Sequence, residues 1–117
     1  MDDMSRNSAE RICEAVDERG GGRVLGLDVG GSCSWASYLV IATATSRVHM
    51  RGLASAVREA MREADIEPRS GGKKTDEGPW WIIDGGSVVV SLMEADARDF
   101  YALEERWFES EVFYRGD

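Results

Sequence analysis

The sequence predicts one α/β (α+β) domain, a single mixed β-sheet with helices packed on it. Three observations lead there. Apolar residues recur at helical spacing in two long segments and crowd into short β-branched runs elsewhere. The segments follow one another as helix, strand, strand, helix, strand, strand, strand, helix, an order that suits helices laid on a mixed sheet. At 117 residues the chain has room for one hydrophobic core and no second lobe.

Residues 5–19 read as a helix with Ala9, Ile12, Cys13 and Val16 on one stripe, ended by Gly20-Gly21-Gly22. Arg23 to Val29 reads as a short strand, broken by Gly30-Gly31-Ser32. Trp35 to Thr43 is the first strong strand, rich in aromatic and β-branched residues. Thr45 or Ser46 offers an N-cap to a helix over residues 46–65, whose Met50, Leu53, Ala54, Val57, Met61 and Ala64 form an amphipathic face. Ile66 to Arg69 suggests another short strand, and Ser70 to Gly78 a polar loop. Trp80 to Ile83 and Val88 to Met93 read as strands joined through Asp84-Gly85-Gly86-Ser87, which is hairpin chemistry. The last helix is expected over residues 94–108, with Glu94 and Asp96 in its first turn and Phe100, Leu103 and Trp107 along one side. Residues 1–108 then form the domain and 109–117 a flexible C-terminal tail.

The net charge of -8 is unevenly spread. Residues 70–117 hold eleven acidic and five basic side chains, whereas residues 1–69 are nearly balanced. Such a surface repels phosphate backbones and anionic lipid and suits a basic protein partner. Cys13 and Cys33 are the only cysteines and form no Cys-x-x-Cys pair, as expected in a reducing cytoplasm. The N-terminus lacks the pattern of a signal peptide, and no apolar stretch is long enough to span a bilayer, so no membrane partner is expected.

Three constellations invite a chemical reading. Leu25 to Ser32, LGLDVGGS, resembles the first phosphate loop of sugar kinases and actin-like ATPases, but those enzymes need two large lobes. The segment reads more simply as a strand followed by a tight turn. His49 is the only histidine, and with two distant cysteines it completes no metal-ligand spacing. Gly86-Ser87 precedes a strand on which a nucleotidyltransferase would carry two metal-binding acids, yet that strand reads Val-Val-Val-Ser-Leu-Met. No enzyme activity and no cofactor are expected. The remaining candidates are aromatic. Trp80 and Trp81 are adjacent in a strand and must point to opposite faces, so one of them is available to a partner.

The segment WWIIDGGSVVVSLMEADARDFYALEERW, Trp80 to Trp107, resembles the signature of the ribosomal silencing factors, the Iojap-related family. Trp80, Asp84, Gly86, Val88 to Val90, Arg98, Phe100, Tyr101, Leu103, Glu104 and Trp107 fall on the family pattern without a gap. Upstream, Leu27 to Ser46 is similar to the family's other block, and the likeness covers about residues 8–108. The chain departs from the pattern at Ser37 and Ser87, where the family usually has Asp, and at Ser91, where it usually has His. Ala44 replaces a Gly, and Trp81 an aliphatic residue.

This resemblance implies a fold similar to a minimal nucleotidyltransferase without its catalytic acids. It implies a cytoplasmic translational repressor that binds the large ribosomal subunit through large-subunit ribosomal protein number fourteen and blocks joining of the small subunit. A homodimer of the free protein is compatible with it, and sequence-specific nucleic-acid binding is not expected. The docking surface is expected on the last strand pair and final helix, at Trp80, Asp84, Met93, Asp96, Arg98 and Tyr101. Arg98 has a competing structural use as an ion-pair partner of Asp84 or Glu94.

Overall fold

The computed structural model describes residues 2–30, 37–67, 80–95 and 111–116. Helix α1 spans Asp2–Glu18 and is followed by strands β1 (Gly22–Asp28) and β2 (Tyr38–Ala44). Helix α2 spans Arg47–Glu63, and strands β3 (Trp80–Asp84), β4 (Val88–Glu94) and β5 (Glu111–Arg115) complete the described elements. The five strands form one sheet in the order β3-β4-β2-β1-β5. Strand β2 runs parallel to β4, and every other pairing is antiparallel, so the sheet is mixed as expected.

Composition explains strand position. Central β2, YLVIATA, is buried at every residue except half-buried Thr43, and β4, VVVSLME, at every residue before Glu94. Near-continuous apolar runs are what a strand covered on both faces requires. Edge strand β5 alternates little and is mostly exposed. One sheet face packs under α1 and α2, where Val40, Ala42, Val88, Val90 and Leu92 meet Ile12, Val16, Leu53 and Val57. The other face carries Leu25, Leu27, Val29, Leu39, Ile41, Val89 and Met93, all buried.

The helices have the expected apolar stripes and well-defined ends. Ala9, Ile12, Cys13 and Val16 are fully buried, as are Leu53, Ala54, Val57 and Met61. Ser46 caps α2, its hydroxyl accepting the His49 N–H at 3.0 Å. Each helix closes with paired backbone bonds that satisfy orphan carbonyls. After α1, Gly21 N–H donates to Val16 and Gly20 N–H to Asp17; after α2, Ile66 N–H donates to Met61 and Asp65 N–H to Arg62. The residue that reverses the chain has positive φ in both cases, Gly20 at 87° and Asp65 at 61°.

Several expectations need correction. Ile66 belongs to the closing turn of α2, and neither it nor Glu67 is in a strand; residues 68 and 69 of that expected strand and the expected loop over 70–78 lie outside the described residues. Glu94 ends β4 and pairs with Arg47 at 3.8 Å, so it is not in a helix. Ala95, the next residue, is helical; residues 96–108 of the expected last helix, with Phe100, Leu103 and Trp107, lie outside the described residues. The expected flexible tail instead contains β5, which pairs with β1. Arg6 of α1 holds it through Glu111 at 2.9 Å and lies over the Phe113 ring at 5.2 Å. Tyr114 donates a 2.7 Å hydrogen bond to Asp17.

Candidate functional site

The β3–β4 hairpin turns through Gly86-Ser87, with Gly86 at a φ of 92° as the first loop residue. A positive φ there is what a two-residue hairpin loop with its first residue in the left-handed region demands. The Asp84 carboxylate accepts the Gly86 N–H at 2.8 Å and fixes the turn from within. Gly85 N–H donates to the Val88 carbonyl at 2.8 Å. In an antiparallel pair, hydrogen-bonded and non-bonded partners alternate. With the regular register Trp81↔Leu92, Ile82↔Ser91, Ile83↔Val90 and Asp84↔Val89, Trp81 and Ile83 therefore turn their N–H and C=O groups toward β4. Trp80, Ile82 and Asp84 turn theirs toward the outer edge.

The two faces of β3 also differ. Trp81 and Ile83 sit on the helix side; Ile83 is fully buried, and half-buried Trp81 packs on the core with the Arg58 guanidinium over its ring at 5.5 Å. The Trp81 indole N–H is buried and has no hydrogen-bond partner among the described residues. Ile82, on the opposite face, is 45% exposed. Sequence reasoning passed over Ile82. Its signal was available in strand alternation, which places it on the same face as positions 80 and 84.

The structure brings some of the expected site residues together and separates others. Trp80 lies directly across from Met93, while Asp84 lies at the far end of the strand, roughly 13 Å away at the usual strand rise. Met93 is fully buried in the cluster on the second sheet face, so it leaves the candidate surface. Burial follows from its strand parity, which it shares with buried Val89 and Ser91. Asp84 is half-buried and already serves the turn. Asp96, Arg98 and Tyr101 lie outside the described residues.

The departures from the family pattern fall at structural positions. Ser37 N–H donates to the Ser87 carbonyl at 2.9 Å, so two positions expected to carry Asp adjoin one another. Ser91 is buried. His49 acts as a staple between chain segments: its Nδ1 accepts the Thr45 N–H at 3.0 Å and its Nε2 lies 3.1 Å from the Arg19 carbonyl. These contacts require the tautomer protonated at Nε2. At the glycine turn after β1, the Asp28 carboxylate accepts the Gly30 N–H at 3.2 Å, and Gly31 and Ser32 lie outside the described residues. Among the described residues, no cluster of three or more His, Cys, Asp or Glu side chains has a metal-binding arrangement, and no helix is long and apolar enough to cross a membrane.

A buried thiol and a half-buried hydroxyl give the fold a pH signature. Burial pushes the Cys13 thiol up to about 12, with the Glu10, Glu14 and Asp17 carboxylates adding to it. The Tyr114 hydroxyl is also held above its ordinary value, first by burial and then by its bond to Asp17. Unfolding lets both ionise more readily, so their contribution is complete below the unfolded thiol value of 9.0 and declines as pH rises toward about 12. Urea denaturation should therefore show lower stability at about pH 10 than at neutrality, and Cys13→Ala should lose less over that interval. Equal losses in parent and variant would remove Cys13 from this account.

Comparison with known proteins agrees with this architecture. Residues 2–115 match the family described as "Ribosomal silencing factor during starvation". The ribosomal silencing factor RsfS of Treponema pallidum is 33% identical over 108 residues, covering 89% of this chain and 94% of that protein. That of Bacillus subtilis is 29% identical over 105 residues, covering 89% and 88%. A crystal structure of a Chromobacterium violaceum protein superposes with a TM-score of 0.79 at 27% identity, covering 87% of this chain and 84% of the other. The match to the family runs from α1 to the end of β5, and the chain belongs to the ribosomal silencing factor family.

Proposed function

We propose that the protein is a translational repressor that binds the large ribosomal subunit, through large-subunit ribosomal protein number fourteen, and sterically prevents the small subunit from joining. It acts in the cytoplasm as a binding protein, without catalysis or cofactor. The observation that carries this reading is the family match over residues 2–115. The net charge of -8 supports it, because an acidic surface complements a basic ribosomal protein. The docking surface is proposed on the β3–β4 hairpin and the segment after it, with Trp80, Asp84, Asp96, Arg98 and Tyr101 as its residues.

Sucrose-gradient fractionation of the tagged protein tests this. The protein should follow free large subunits and be absent from assembled ribosomes. Its association should weaken as salt is raised, since screening shortens the reach of charge. Trp80→Ala and Tyr101→Ala should each weaken binding by about 2 kcal/mol or more if they anchor the interface centre. Migration only at the top of the gradient at low salt would defeat the proposal. A degenerate nucleotidyltransferase-like or phosphate-binding domain is the alternative, and a rise in melting temperature with nucleotide and magnesium would favour it.

A further inference from the structure

The two edges of the sheet are built differently. Strand β5 is blunted: its register shifts against β1 at Phe113, its ends carry Glu111 and Arg115, and Glu111 is held in an ion pair. Bulges and edge charges are common devices against unwanted strand pairing. Strand β3 has none of these over its first four residues, Trp80 to Ile83, and its register with β4 is unbroken. The parity of the hairpin leaves the N–H and C=O groups of Trp80, Ile82 and Asp84 directed away from β4. Ile82 adds an exposed apolar side chain at the centre of that row.

We propose that the partner docks on the β3 edge by strand addition: an extended, basic segment of a ribosomal protein pairs with the outward backbone groups of Trp80, Ile82 and Asp84 and covers the Ile82 side chain. This rests on the ribosome-binding reading above and adds its mode. An extended occupant follows from the backbone row, which only another strand can match in spacing. A basic occupant follows from charge, since Asp84 lies on β3 itself and residues 80–95 contain no Lys or Arg, Glu94 being already paired with Arg47. A second copy of this chain lacks that complementarity, because each copy carries -8.

Amide hydrogen exchange reads the proposal residue by residue, with purified bacterial large ribosomal subunits as the probe. In the free protein, Trp81 and Ile83 amides should be protected by β4, while Ile82 exchanges quickly. Saturating subunits should slow Ile82 exchange by about tenfold or more and leave Ile83 nearly unchanged. Ile82→Pro removes the outward donor without removing a bond to β4, and should abolish cosedimentation while the circular dichroism spectrum is kept. Ile82→Lys keeps the backbone, places positive charge against a basic strand, and should weaken binding, which carries the test where the proline variant fails to fold. Cosedimentation of the parent with unchanged Ile82 exchange would overturn the edge while leaving the functional reading intact. Slowed exchange in the concentrated free protein, with no further effect of subunits, would assign the edge to self-pairing and overturn the proposal. Failure of the parent to cosediment at all would strike the functional reading itself.

Discussion

Gly26→Ala should destabilise the protein by about 1–3 kcal/mol, the usual range for forcing extra volume into a packed core. Gly26 lies in β1 on the helix side of the sheet, between β2 and β5. A Cβ at this position would stand 2.8 Å from the Phe113 ring and 2.9 Å from the Cys13 sulfur, closer than side chains tolerate. Neither neighbour has an easy retreat. Cys13 is fully buried, and Phe113 meets the Tyr38 ring edge-on with centroids 5.6 Å apart while Arg6 covers it from α1. Urea denaturation measures the loss, and Phe113→Leu in the Gly26→Ala background should recover part of it by making room. A Gly26→Ala protein as stable as its parent would mean that the β1–β5 contact yields without strain.

The same contact shows why β5 was not legible in the sequence. Glu-Val-Phe-Tyr-Arg has no strict alternation, and its strand exists through pairing with β1 across a bulge at Phe113. The bulge lets both Phe113 and Tyr114 pack against the core, which breaks the period-two signal on which strand reading depends. By contrast, α1, α2, β2 and the β3–β4 hairpin were legible because their signals are local: an apolar stripe at helical spacing, a run of β-branched residues, and glycines at a turn. The candidate site was readable only in part. Asp84-Gly85-Gly86-Ser87 announces a hairpin, but the direction of each β3 backbone group depends on which two residues form the loop. Only the observed bond from Gly85 to Val88 settles that parity.

Met93→Ala should lower stability by about 2–5 kcal/mol, the range for truncating a fully buried Met in a packed core. Met93 has no exposed surface and packs with Leu25, Leu27, Val29, Leu39, Ile41 and Val89 on the second face of the sheet. Ile82→Ala makes the informative comparison. Ile82 is 45% exposed, so its truncation should cost much less stability than that of Met93. The two variants should separate two roles on one hairpin. Met93→Ala should shift the denaturation midpoint strongly, yet bind large subunits nearly as well as the parent under conditions where it is fully folded. Ile82→Ala should show the reverse. If Met93→Ala melts like the parent but loses the subunit, Met93 reaches the partner directly, and the docking surface is the second face of the sheet instead of its β3 edge.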